Sequence, residues 1–293
     1  MRVLLATDGS EDARTACAWL VQFPLPADSR LRVVTAVSIP PSALDLPTVR
    51  DFLGSLREEA RGAAESARTQ LAPRFAESEA QVLEGDARDV ILRAAEEWPA
   101  DLIVIGARGL GAVAGFLLGS VSLSVARHAR CSVLVVRPGA GVARGILVGI
   151  DGSEHAIAAA QFVGGLPLDP MVVVQLTGVV QSPPMPATTP GFAKGLVREA
   201  TAQIVKERTA ALDHAIARAA VPFEGVVKTM KRQVLVGSPT DVLLDAAARS
   251  GVGLVVVGAR GLGRMQRLLL GSVSENVLRH ADRPVLIVKG ATS

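Results

Sequence analysis

The chain repeats itself. "VLLATDGSEDA" at Val3–Ala13 returns as "ILVGIDGSEHA" at Ile146–Ala156, and "VIGARGLG" at 104–111 returns as "VVGARGLG" at 256–263. "LLGSVSLSVARHARCSVLVV" at 117–136 likewise matches "LLGSVSENVLRHADRPVLIV" at 269–288. The first pair is offset by 143 residues and the other two by 152, so the second copy carries nine extra residues in its middle. A unit this long buries its own core, unlike the short units of a solenoid. The 293 residues therefore read as two tandem domains, 1–138 and 144–290, linked through "RPGAGVARG" at 137–145.

Inside each copy, strand-like and helix-like segments alternate. "RVLLAT", "LRVVTAV", "EAQVLE", "DLIVIG" and "SVLVV" are short, Val/Ile/Leu-rich runs in copy one. "GILVGI", "MVVVQL", "KRQVLV", "GLVVVG" and "PVLIV" follow in copy two. None shows the strict apolar–polar alternation of a half-exposed sheet, which points to strands covered on both faces. Between them, segments such as "DVILRAAEEW" (89–98) and "VSLSVARHA" (121–129) have helical spacing. This alternation predicts an α/β protein of two doubly wound, Rossmann-like parallel sheets flanked by helices. Pro-rich stretches at 38–47 and 181–192 interrupt each copy after its second strand. They read as surface connectors or as flaps over a site.

Composition removes several classes of function. No apolar stretch reaches the roughly 18 residues of a membrane span. The strand-like start leaves no room for a secretion signal, and Cys17 and Cys131 fall at non-matching places, so a cytoplasmic protein without a disulfide framework is expected. A net charge of +3, no Tyr, seven Phe and two Trp supply neither the basic runs nor the stacking rings of a nucleic-acid binder.

In open parallel sheets, ligands sit beyond the carboxyl ends of the strands. Asp8 and Asp151 follow the first strands there, and "GARGLGAVAGFLLGS" (106–120) and "GARGLGRMQRLLLGS" (258–272) follow the fourth. Each glycine run could be a hinge, a tight packing corner or a phosphate cradle. A glycine turn lets backbone N–H groups approach an anion, and the following helix N-terminus adds positive potential. The bland readings are a turn-forming Asp8, a helix-capping Ser10, glycines that admit close helix–sheet packing, and solvated loop arginines. Both G-x-x-x-x-G-K-[ST] and the first-strand G-x-G-x-x-G fingerprint are absent. The chain has instead Gly106-x2-Gly109-x9-Gly119-Ser120, repeated as Gly258-x2-Gly261-x9-Gly271-Ser272.

That spacing, with "DGS" after the first strand and "GSVS" before the last helix and strand, closely resembles the universal stress protein family over nearly the whole chain, twice. The resemblance implies a five-stranded parallel sheet per copy and, in the glycine-motif branch, ATP binding. It places Asp8 and Asp151 near adenine and ribose, and a backbone group near Val37 and Val179 against adenine. It assigns the phosphates to Gly106, Gly109, Gly119 and Ser120, and to Gly258, Gly261, Gly271 and Ser272. Ser122, Ser274, Arg108 and Arg260 are further candidates for the phosphates. Arg264 and Arg267, opposite Ala112 and Gly115, would give copy two the tighter triphosphate site. Mg²⁺ held by Asp8 or Asp151 through water would accompany the nucleotide.

His128 and His280 match each other near a helix end, where a structural role fits. No nucleophile–base pair or metal-ligand spacing stands out. The expected function is a nucleotide-dependent stress sensor or regulator rather than an enzyme, with one ATP per domain, a regulatory protein partner, and no nucleic acid or membrane. A slow ATPase is the enzymatic alternative. A ligand-free dimerisation module, with "SVLVV" and "PVLIV" pairing edge to edge within or between chains, is the other.

Overall fold

The structure, a computed structural model, describes residues 1–38, 47–75, 77–110, 118–137, 145–183, 193–262 and 270–290, with backbone only at 47–52. The first half runs β1 (Arg2–Ala6), α1 (Glu11–Gln22), β2 (Arg30–Val37), α2 (Pro47–Leu71), β3 (Glu77–Glu84), α3 (Ala87–Glu97), β4 (Leu102–Gly106), α4 (Ser120–His128) and β5 (Ser132–Val136). The second runs β6 (Gly145–Ile150), α5 (Glu154–Gly164), β7 (Val173–Val180), α6 (Lys194–Ala220), β8 (Thr229–Val236), α7 (Pro239–Ser250), β9 (Leu254–Gly258), α8 (Ser272–His280) and β10 (Val285–Val288).

All ten strands form one sheet, in the order β3-β2-β1-β4-β5-β10-β9-β6-β7-β8. Within each half the pairing is parallel, and the winding reverses between the first and fourth strands. The halves meet where β5 and β10 pair antiparallel, Leu134 opposite Leu286. The last strands therefore join the two copies of one chain, and neither is left as a free edge. The outer edges, β3 and β8, carry the polar residues that the central strands lack, such as Glu77, Glu79, Lys231 and Arg232. Charges on an edge discourage further strand addition.

Burial explains the unalternated runs. Every residue of β4, β5 and β9 is buried, because helices cover both faces. α1, α2, α5 and α6 cover one core, which holds Leu5, Leu20, Leu134, Ile146 and Leu286. α3, α4, α7 and α8 cover the other, which holds Leu4, Ile103, Val133, Leu147 and Ile287. Both cores pass through the β5–β10 junction without a break.

Polar contacts exchange across the junction with approximate twofold symmetry. Arg137, after β5, donates to the carbonyl of Leu278 at the end of α8 (2.6 Å). Lys289, after β10, donates to the carbonyl of Arg127 at the end of α4 (3.2 Å). Cations there complete the unpaired carbonyls of a helix C-terminus. Arg127 also meets Glu275 through two bonds, Nε to Oε2 at 3.0 Å and Nη2 to Oε1 at 2.5 Å. His128 and His280 are the last residues of α4 and α8, and the His128 ring lies 2.8 Å from the Ser124 carbonyl.

Neither cysteine is placed for chemistry. Burial pushes both thiols up, to about 11 for Cys17 and about 11 for Cys131. At pH 8 only about one thiol in a thousand would be ionised in the fold. Native protein is expected to react with a disulfide reagent far more slowly than urea-unfolded protein; equal rates would contradict this placement. Among the described residues no helix is long and apolar enough to cross a membrane.

Candidate functional site

The first turn of each half is built by an aspartate. Asp8 Oδ1 accepts the N–H of Ser10 (3.0 Å), and Gly9 takes the positive φ of 76° that lets the chain reverse there. Ser10 then caps α1, its Oγ accepting the N–H of Ala13 (3.3 Å). Copy two repeats the device: Asp151 with Ser153 N–H (2.9 Å), Gly152 at φ 87°, and Ser153 Oγ with Ala156 N–H (3.2 Å).

The same aspartates hold the glycine loops. Asp8 Oδ2 accepts the N–H of Leu110 (2.8 Å), and Asp151 Oδ2 accepts that of Leu262 (3.2 Å). Gly109 and Gly261 lie so close that an added Cβ would enter the space of those carboxylate oxygens. Asp8 with Gly109, and Asp151 with Gly261, are thus brought together at the carboxyl edge of the sheet. Each carboxylate oxygen already accepts one N–H and keeps a further lone pair.

The loop glycines divide by role. Gly106 and Gly258 end β4 and β9 under the first turns of α1 and α5; a Cβ on Gly106 would sit 2.7 Å from the Asp12 carbonyl carbon. They are packing glycines first. Gly119 and Gly271 are the N-caps of α4 and α8, and neither offers a capping side chain. The first N–H groups of these helices, at Ser120 and Ser272, are thereby left for another acceptor. Ser122 and Ser274 turn inward instead. They are buried and donate to the carbonyls of Gly106 (2.7 Å) and Gly258 (2.6 Å), which ties each helix to the strand before its loop.

Arg108 also differs from the expectation of a phosphate ligand. Its Nε and Nη2 donate to the buried Asp12 carboxylate at 3.1 and 3.2 Å, and its backbone N–H donates there at 3.0 Å. Arg260 is exposed and makes no ion pair among the described residues. The expected pairing of Val37 with Val179 needs correction. Val37 accepts Gly85 N–H and Val180 accepts Gly237 N–H, both at 3.0 Å, so Val180 is the equivalent of Val37. The run "MVVVQL" ends at Leu176, whereas β7 continues through Gly178 to Val180, in keeping with the 143-residue offset of the first strands. Gly178 is small to admit α6: its Cβ would lie 3.3 Å from Ile216 and Leu212. Gly111, Ala112, Gly115, Arg264, Arg267 and most of the two Pro-rich stretches lie outside the described residues.

A cleft of about 1050 Å³ opens beside these groups in the second half. Its lining includes the polar groups of Asp151, Arg260, Gly261 and Ser272 and the apolar side chains of Val179, Leu212, Ala215 and Leu243. An apolar wall with a few convergent polar groups suits a small molecule of nucleotide size. Among the described residues no three His, Cys, Asp or Glu side chains are grouped to hold a metal ion.

Two doubly wound halves, each tying an aspartate turn to a glycine loop, define a tandem Rossmann-like α/β protein. The chain belongs to the universal stress protein family, whose profile matches residues 1–137 and again 143–289. It is 40% identical to a universal stress protein of Thermus aquaticus over 136 residues, 46% of this chain and 97% of that one. A Mycobacterium tuberculosis universal stress protein is 32% identical over 198 residues, 65% of this chain but 62% of the relative's own length. A relative from Mycolicibacterium smegmatis is 26% identical, with 98% of this chain and 96% of its own covered. The crystal structure of a universal stress protein from Archaeoglobus fulgidus has the same fold, with a TM-score of 0.66 at 20% identity over 99% of this chain and 98% of that one.

Proposed function

We propose that the chain is an ATP-binding regulator with one nucleotide site per half, and that it acts by changing shape rather than by chemistry. The carrying observation is the second-half cleft, where the uncapped start of α8, the β9–α8 glycines and Asp151 meet an apolar wall. The apolar wall fits an adenine, and a lone pair of Asp151 fits a ribose hydroxyl. The backbone N–H groups at Gly261, Ser272 and Val273 fit phosphate oxygens. The first half repeats the same parts at Asp8, Gly109, Gly119 and Ser120. Mg²⁺ would be held by the phosphates and by water, with Asp8 or Asp151 behind that water. The regulatory reading needs nucleotide to favour one loop arrangement over another, which a partner protein then reads. A cytoplasmic location and self-association into homodimers belong to the same reading.

The test is the nucleotide content of purified protein, before and after Gly109→Ala combined with Gly261→Ala. Wild type is expected to release ATP on denaturation. The double variant displaces Asp8 and Asp151 from Leu110 and Leu262, and should bind added ATP at least about tenfold more weakly, the loss of roughly one hydrogen bond to charge. Its melting temperature should stay within a few degrees of wild type, because a flexible carboxylate yields before backbone does. Protein that is purified empty and fails to bind added ATP would remove the proposal.

A further inference from the structure

Beneath the two glycine loops, Asp12 at the start of α1 is exchanged for His155 at the start of α5. The first half has Asp12 under its loop, 4% exposed, and the carboxylate holds both the backbone N–H and the guanidinium of Arg108. The second half has His155 in that place, and Arg260, the counterpart of Arg108, keeps no ion pair among the described residues. His155 Nδ1 is buried without a hydrogen-bond partner there. Burial and the nearby Arg260 hold its ring below the usual histidine range, with Asp151 acting weakly the other way. Lys289 faces the same place, pushed down to about 8 by burial and by Arg260. Arg137 stands in the first half where Lys289 stands in the second, beside Arg108 and Asp12, so a second cation flanks both loops; the difference is a carboxylate on the loop arginine in one half and a neutral histidine in the other. Asp151, the carboxylate beside His155, already accepts Ser153 and Leu262 N–H. Arg260 also lines the cleft of about 1050 Å³.

We infer that the second half is the polyphosphate-selective site: His155 leaves Arg260 without a carboxylate, so the guanidinium reaches the terminal phosphates of the ligand. In the first half Asp12 turns Arg108 into a brace between α1 and the glycine loop, and the phosphates there are left to the backbone donors of the loop and of α4. A guanidinium suits this task because its fork of donors meets phosphate oxygens in pairs. The inference deepens the nucleotide reading and rests on it for the adenosine end of the ligand.

Titration calorimetry of the full chain with ATP, AMP and tripolyphosphate at low ionic strength tests this. Arg260→Ala is expected to weaken ATP and tripolyphosphate about tenfold or more, and AMP hardly at all. Arg108→Ala should give a clearly smaller loss for both polyphosphates. His155→Asp installs the carboxylate that the first half already accommodates, and should reproduce the Arg260→Ala pattern with the arginine intact. If it does not fold, Arg260→Ala, at an exposed position, carries the test alone. Asp12→Asn keeps an oxygen acceptor while removing the charge, and should add tripolyphosphate binding at the first site. Equal losses in Arg108→Ala and Arg260→Ala, or tripolyphosphate binding indifferent to His155→Asp, would overturn the inference. Wild type that binds ATP and AMP alike, unaffected by Arg260→Ala, would overturn it while keeping the nucleotide reading. Tripolyphosphate bound through Arg260 without any adenosine nucleotide would support it and remove that reading.

Discussion

Leu286→Asp is expected to unfold the chain or to destabilise it by about 4 kcal/mol or more, the range for an unpaired charge placed in a core. Leu286 is fully buried in β10 and faces Leu134 of β5 across the antiparallel pair that joins the halves. Its side chain belongs to the core that runs from Leu5 and Leu20 in one half to Ile146 and Leu176 in the other. A carboxylate there has no donor to meet, and the sheet cannot part locally without opening both halves. Leu110→Asp is the matched control, because Leu110 is 74% exposed at the tip of the first glycine loop. A surface substitution of that kind stays within about 0.5 kcal/mol. Denaturant unfolding of the two variants gives the comparison. Equal stabilities would mean that the β5–β10 junction does not hold the halves together in solution.

Both central and edge strands were readable, but the edge strands only in part, for one reason. β1, β4, β5, β6 and β9 are buried on both faces, so their apolar runs announce them. β3 begins at Glu77 and β8 at Thr229, two residues before the apolar pattern suggests, because an edge strand keeps polar residues. That the last strands exist was plain from "SVLVV" and "PVLIV", but a strand edge does not encode whether its partner lies in the same chain. Only the register of Val285 with Val135 decides it. At the site, the repeat located Asp8, Asp151 and the glycines, since motif and strand end coincide. Asp12 and His155 were also visible, as the one mismatch in "DGSEDA" against "DGSEHA". Their meaning was not, because Arg108 lies 96 residues from Asp12 and meets it only through the fold.

Gly106→Ala and Gly258→Ala are expected to destabilise the chain by about 1–3 kcal/mol each, the usual effect of overpacking. An added Cβ at Gly106 would lie 2.7 Å from the Asp12 carbonyl carbon and 2.8 Å from its oxygen. At Gly258 it would lie 2.6 Å from the His155 carbonyl carbon. Both obstacles are helix backbone, so relief requires lifting α1 or α5 off the sheet. That movement strains the Ser10 and Ser153 caps and, in the first half, the Arg108–Asp12 pair. Gly62→Ala gives the opposite sign. Nothing lies within 4 Å of a Cβ there, in the middle of α2, so alanine should stabilise by roughly 0.5–1 kcal/mol through helix propensity alone. Thermal or denaturant unfolding of the three variants decides between the roles of a loop glycine. If Gly106→Ala and Gly258→Ala lose ligand binding at unchanged stability, these glycines serve the ligand rather than the helix. If they lose stability as expected, the first glycine of each motif holds the helix against the sheet, and the approach to a phosphate falls to Gly109, Gly119, Gly261 and Gly271.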